Sequence, residues 1–114
     1  MESDMKRIFL ATVALIGLAS HACAQTPADP QKGAALANSV CAQCHAVRDG
    51  QLRSPDPMAP SFSSVAKTPG MTDRALRVWL QSSHPTMPNF ILSGDEKNNV
   101  IAYILSLQTG RSGI

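Results

Sequence analysis

Cys41-Ala42-Gln43-Cys44-His45 places two thiols two residues apart and follows the second directly with an imidazole. That spacing is the attachment pattern of a c-type haem. On one turn of chain the two sulfurs reach the two vinyl groups of a porphyrin and form thioethers. The His45 imidazole is then held under the iron as its proximal ligand. Three other readings of the same residues stay open. A structural zinc site needs four ligands, and beyond the first two dozen residues only Cys41, Cys44, His45 and His84 are available. A thioredoxin-like redox pair would follow a strand in a βαβ pattern, and nothing before Cys41 reads as a strand. A plain disulfide across a two-residue loop would restrain the unfolded chain very little.

Upstream of the motif, Lys6 and Arg7 form a charged start, and Ile8 to Leu18 is an apolar run too short to span a membrane comfortably. Ala22-Cys23-Ala24 then presents small residues where signal peptidase reads. Residues 1–24 are expected to be a signal peptide cut before Gln25, and residues 25–114 a single domain in the periplasm. Glu2 and Asp4 are out of place in a basic leader, and translation from Met5 would give the conventional Met5-Lys6-Arg7. The alternative is a membrane-anchored form, held by an uncleaved leader or by a lipid on Cys23. Ser20, however, stands where a lipobox carries leucine.

About 90 residues follow the leader, enough for one small domain. They include only four aromatics, Phe62, Trp79, Phe90 and Tyr103. A domain of this size is marginal without a staple, a metal or a cofactor. A covalently held haem would supply the missing apolar centre, so composition and motif point the same way. Lys and Arg exceed Asp and Glu by only two. No basic run or aromatic-basic stripe suggests nucleic acid. No second apolar stretch is long enough to span a membrane, so a membrane is met only through partners.

Three helices can be read and no convincing strand. The first starts at Asp29-Pro30, a capping residue followed by proline at the first helical position, and aligns Gly33, Leu36, Ala37 and Val40. The second follows Thr72, with Leu76, Trp79 and Leu80 on one face and Arg74 and Arg77 turned elsewhere. The third follows the capping box Ser93-Gly94-Asp95-Glu96, carries Val100, Tyr103, Ile104 and Leu107 on one side, and stops near Gly110. Residues 46–70, rich in Pro and Gly, are expected to be an irregular loop with little regular structure.

Met58, Met71, Met87 and His84 are the candidates for the position opposite His45. A thioether suits haem iron and favours its reduced state. Met87 is the best placed, because the prolines at 85 and 88 break helix and stiffen a loop that can cross the far haem face. His84 reads as a loop histidine that titrates near neutrality.

Taken together, Cys41-Ala42-Gln43-Cys44-His45 after a Gly33-containing helix, Met87-Pro88, and Val100-Ile101-Ala102-Tyr103-Ile104 resemble a class I mono-haem cytochrome c. The resemblance spans essentially all of the chain after the leader. It implies an all-α fold of three to four helices around one haem c bound through Cys41 and Cys44. It also implies that the first and last helices cross where Gly33 meets Tyr103; the family often has an aromatic residue at the position of Ala37. The resemblance makes Pro60, in Ala59-Pro60-Ser61-Phe62, the residue whose carbonyl accepts the proximal imidazole proton. The short loop before Met87 is similar to small bacterial members rather than the mitochondrial type.

With His45 and Met87 both bound, iron has no open position, so the expected role is electron transfer and not catalysis. The expected partners are a donor and an acceptor redox protein, such as a dehydrogenase, an oxidase or a cytochrome bc1-type complex, met by a monomer or a small heteromer. One alternative is a dedicated cytochrome c subunit of a periplasmic dehydrogenase complex. Another is a haem that binds gas or decomposes peroxide through a labile Met87.

Overall fold

A computed structural model describes residues 26–82 and 86–109. The expected leader and cleavage site, Cys23, His84, Pro85 and Gly110 lie outside them. The described residues form four α-helices and no strand: α1 (Pro30–Val40), α2 (Phe62–Lys67), α3 (Asp73–Gln81) and α4 (Gly94–Ser106), with a 3-10 turn at Cys41–Gln43 directly after α1. The chain is all-α.

Each helix starts where a short polar side chain takes over a backbone donor that the helix leaves unpaired. Asp29 Oδ1 accepts from the N–H groups of Gln31 and Lys32, with Pro30 at the first helical position. Thr72 Oγ1 accepts from Ala75 N–H. At α4 the capping box is complete: Ser93 Oγ accepts from Glu96 N–H at 3.2 Å and Glu96 Oε2 accepts from Ser93 N–H at 2.8 Å. α4 ends at Ser106, with Leu107 closing its last turn.

α1 and α4 cross against each other, and Gly33 sets the closeness of the crossing. A Cβ on Gly33 would collide with the backbone carbonyl of Asn99 and come within 2.8 Å of Tyr103 Cβ. The same crossing is tied at its edge, where Asp29 N–H donates to Asn99 Oδ1 at 2.8 Å. Ala37 is fully buried, so the crossing closes there on a methyl group. Val47, Phe62, Ala66 and Leu76 join Val100, Ile101, Ile104 and Leu107 in one core. Full burial of each large aliphatic side chain in this set contributes about 1.5–3 kcal/mol.

The stretch expected to be irregular holds a helix. α2 begins at Phe62, capped by Ser61 Oγ, which accepts from Ser64 N–H at 3.1 Å. It is only six residues long, below the length at which helical periodicity shows, and it is held by burying Phe62 and Ala66. The preceding loop has no periodic structure but is tightly tethered. Ala46 N–H donates to Ser54 Oγ, Asp56 N–H to Cys44 O, and Phe62 N–H to Ala46 O. Gly70, at φ 78°, makes the turn from α2 into α3 in a conformation that L side chains resist.

Candidate haem site

The helices enclose one side of a cavity of about 520 Å³. That lies within the roughly 300–1,000 Å³ range of small-molecule and cofactor sites. Its wall is drawn from every helix: Val40 and Cys41 at the end of α1, Phe62 and Val65 of α2, Leu76, Trp79 and Leu80 of α3, and Val100 and Ile104 of α4. The connector from residue 86 to residue 92 supplies Met87, Phe90 and Leu92. Among the described residues, no Asp, Glu, Lys or Arg lines it.

Cys41, His45, Pro60 and Met87 all line this cavity; Cys44 does not, although it sits half-buried one turn away. The motif is shaped by a turn closed on Cys41 O, which accepts from Cys44 N–H at 3.2 Å and from His45 N–H at 2.9 Å. The two cysteines are free thiols and form no disulfide. Burial pushes the Cys41 thiol up, which keeps it protonated and unlike the exposed thiolate of a redox pair.

His45 is held through its ring. Nδ1 lies 2.6 Å from Pro60 O. A carbonyl can only accept, so Nδ1 carries the proton, and in the neutral imidazole the Nε2 lone pair is left for a metal. The Phe62 ring lies against the imidazole, with centroids 5.4 Å apart and planes tilted by 52°. Behind it Tyr103 follows, with ring centroids 6.5 Å apart, and its hydroxyl donates to Val47 O at 2.6 Å.

Of the other sulfur candidates, Met58 and Met71 also line the cavity. Met58 is 76% exposed and stands two residues before Pro60, on the segment that holds the His45 ring. Met71 packs against the core, and its carbonyl accepts from Gln108 Nε2. Leu76, Trp79 and Leu80, expected on one face of α3, all line the cavity, with Trp79 55% exposed. Among the described residues no three His, Cys, Asp or Glu side chains converge to hold a metal ion by themselves. An apolar cavity with one thiol, one imidazole and thioethers in its wall fits a macrocycle that brings its own iron and four equatorial nitrogens.

The contacts of Phe62 and Tyr103 around His45 were not read from the sequence. The available signal was scarcity: two of only four aromatics outside the leader gather at the one histidine of the motif.

Residues 28–104 match the family model described as cytochrome c oxidase, cbb3-type, subunit III. Over 95 residues the chain is 41% identical to cytochrome c-552 of Bradyrhizobium diazoefficiens, an alignment covering 82% of this chain and 89% of that protein. No solved structure gives a significant match.

Proposed function

Because this chain belongs to the class I mono-haem cytochrome c family and is an electron carrier rather than an enzyme, we propose that it shuttles electrons in the periplasm with His45 and Met87 as the axial ligands of its haem c. Haem c supplies one iron that takes up and gives up a single electron. Cys41 and Cys44 would carry the two thioethers, His45 the proximal bond through Nε2, and Met87 the distal thioether.

The chain's own residues do the rest. The Pro60 carbonyl holds the His45 proton on Nδ1, which fixes the tautomer and raises the basicity of the ligating nitrogen. The apolar wall keeps water from the iron, and dryness together with axial ligand identity sets the potential. The observation that carries the reading is the shared cavity, into whose wall His45 with its Pro60 bond and Met87 both enter. Met87 is favoured over Met58 because Met58 belongs to the segment on the His45 side. Among the described residues no helix is long and apolar enough to cross a membrane, and redox proteins are the partners.

A reduced-minus-oxidised spectrum with the near-infrared sulfur–iron band tests this. The wild type should show the band; Met58→Ala, Met71→Ala and His84→Ala should keep it. Met87→Ala should lose it and bind carbon monoxide readily, and Met87→His should keep a six-coordinate haem at lower potential. Survival of the band in Met87→Ala would overturn the distal assignment.

A second reading is a stably bound electron-transfer subunit, favoured by the matching family model's description as an oxidase subunit. Co-purification with a larger oxidoreductase through high salt would select it over a free shuttle.

A further inference from the structure

We propose that Phe62 and Tyr103 form a two-ring brace that sets the plane of the His45 imidazole, making both of them positioning residues for the iron's potential. The inference rests on His45 being the proximal ligand.

A single hydrogen bond at Nδ1 holds one ring atom and does not by itself fix the ring plane: the imidazole can still tip in a way that bends that bond. The Phe62 ring, 5.4 Å away and tilted by 52°, occupies the space into which it would rock. Phe62 is itself immobilised. The residue is 6% exposed, its N–H donates to Ala46 O at 2.9 Å, and it opens α2 directly after the Ser61 cap. Tyr103 backs it at 6.5 Å and 54°. Tyr103 cannot retreat either, because its hydroxyl is bonded to Val47 O and its Cβ lies at the Gly33 crossing. The ligand's ring is thereby referred, through two aromatic contacts, to the close α1–α4 crossing at Gly33.

The consequence for iron follows from the Pro60 bond. Hydrogen bonds weaken steeply as they bend. A rocking imidazole would therefore lose part of the Nδ1–H···O interaction and donate less to the iron. Ferric iron, which depends more on that donation, would be stabilised less, and the potential would rise.

The test uses the haem-loaded protein. Phe62→Leu keeps an apolar side chain but removes the flat ring. Tyr103→Phe keeps the ring but removes the bond to Val47 O, and serves if Phe62→Leu loads haem poorly. Ile101→Val, fully buried in the core and outside the cavity wall, is the control for lost stability. Phe62→Leu should shift the ferric g-values and the spread of the haem methyl resonances and raise the potential. Tyr103→Phe should do the same to a smaller extent, and Ile101→Val should lower stability alone. If Phe62→Leu and Tyr103→Phe alter only stability, like Ile101→Val, the brace is refuted. Failure of the underlying ligand reading looks different: the strongly shifted imidazole resonances of the wild type would then vanish in His84→Asn, whatever Phe62 does.

Discussion

Cys41 lines the cavity and Cys44 does not, yet each would carry one of the two thioethers that hold the haem covalently. The wild type should keep its haem through acid–acetone extraction. Cys41→Ala and Cys44→Ala should each leave mostly unstable apoprotein, measured as haem per polypeptide and as the unfolding midpoint. Colourless zinc-bound protein of normal stability would contradict the haem reading at its root. The residues of this motif were legible in the sequence because the chemistry needs them contiguous. Pro60 was legible only through family resemblance, since nothing in its neighbours announces a carbonyl aimed at His45. The Phe62 contact was not legible at all: it joins two residues across an irregular loop whose path is fixed by scattered bonds such as Ala46 N–H to Ser54 Oγ.

At the scale of the element, α1 and α4 depend on opposite features, a missing side chain and a present one. Gly33→Ala should ordinarily favour a helix, but here the added methyl meets the Asn99 backbone. Overpacking of this kind costs about 1–3 kcal/mol, to be read from denaturant unfolding of the haem-loaded protein. Wild-type stability in Gly33→Ala would mean that the crossing is looser than described. In α4 the bonds from Ser93 hold the Glu96 carboxyl below the usual carboxylate range. A carboxylate with a lowered folded value stabilises the fold above its unfolded value, and this contribution is lost as pH falls through the lowered one. Acid unfolding should therefore include a Glu96 contribution that is intact near neutrality and fades below the ordinary glutamate range, about pH 4. Glu96→Gln, which can still reach back to Ser93 N–H, should remove that pH dependence while keeping the helix; an unchanged acid limb would show that Glu96 does not contribute. Both of these helices were legible from their caps and periodicity. α2 was hidden because six residues give no period to count, and its serines among the flanking prolines read as loop until Phe62 and Ala66 find their burial in the core.

For the whole molecule, a cleaved leader, as we read residues 1–24, predicts a mature chain beginning at or near Gln25 in an oxidising compartment, where thiols can be prepared for attachment. Intact mass of the haem-bearing protein checks it: a chain from Gln25 is expected, and a mass retaining residues 1–24 or two acyl chains on Cys23 would indicate an anchored form. The four-helix plan has a further consequence, in how the cavity wall is completed. Asp29 and Asn99, which meet at the α1–α4 crossing, are 70 positions apart in sequence. Closing so long a loop costs entropy before any contact repays it. Val100 and Ile104, the part of the cavity wall that α4 brings, are in place only when this long-range crossing is made. Without it Cys41 would face an open trough, lacking the wall that α4 supplies.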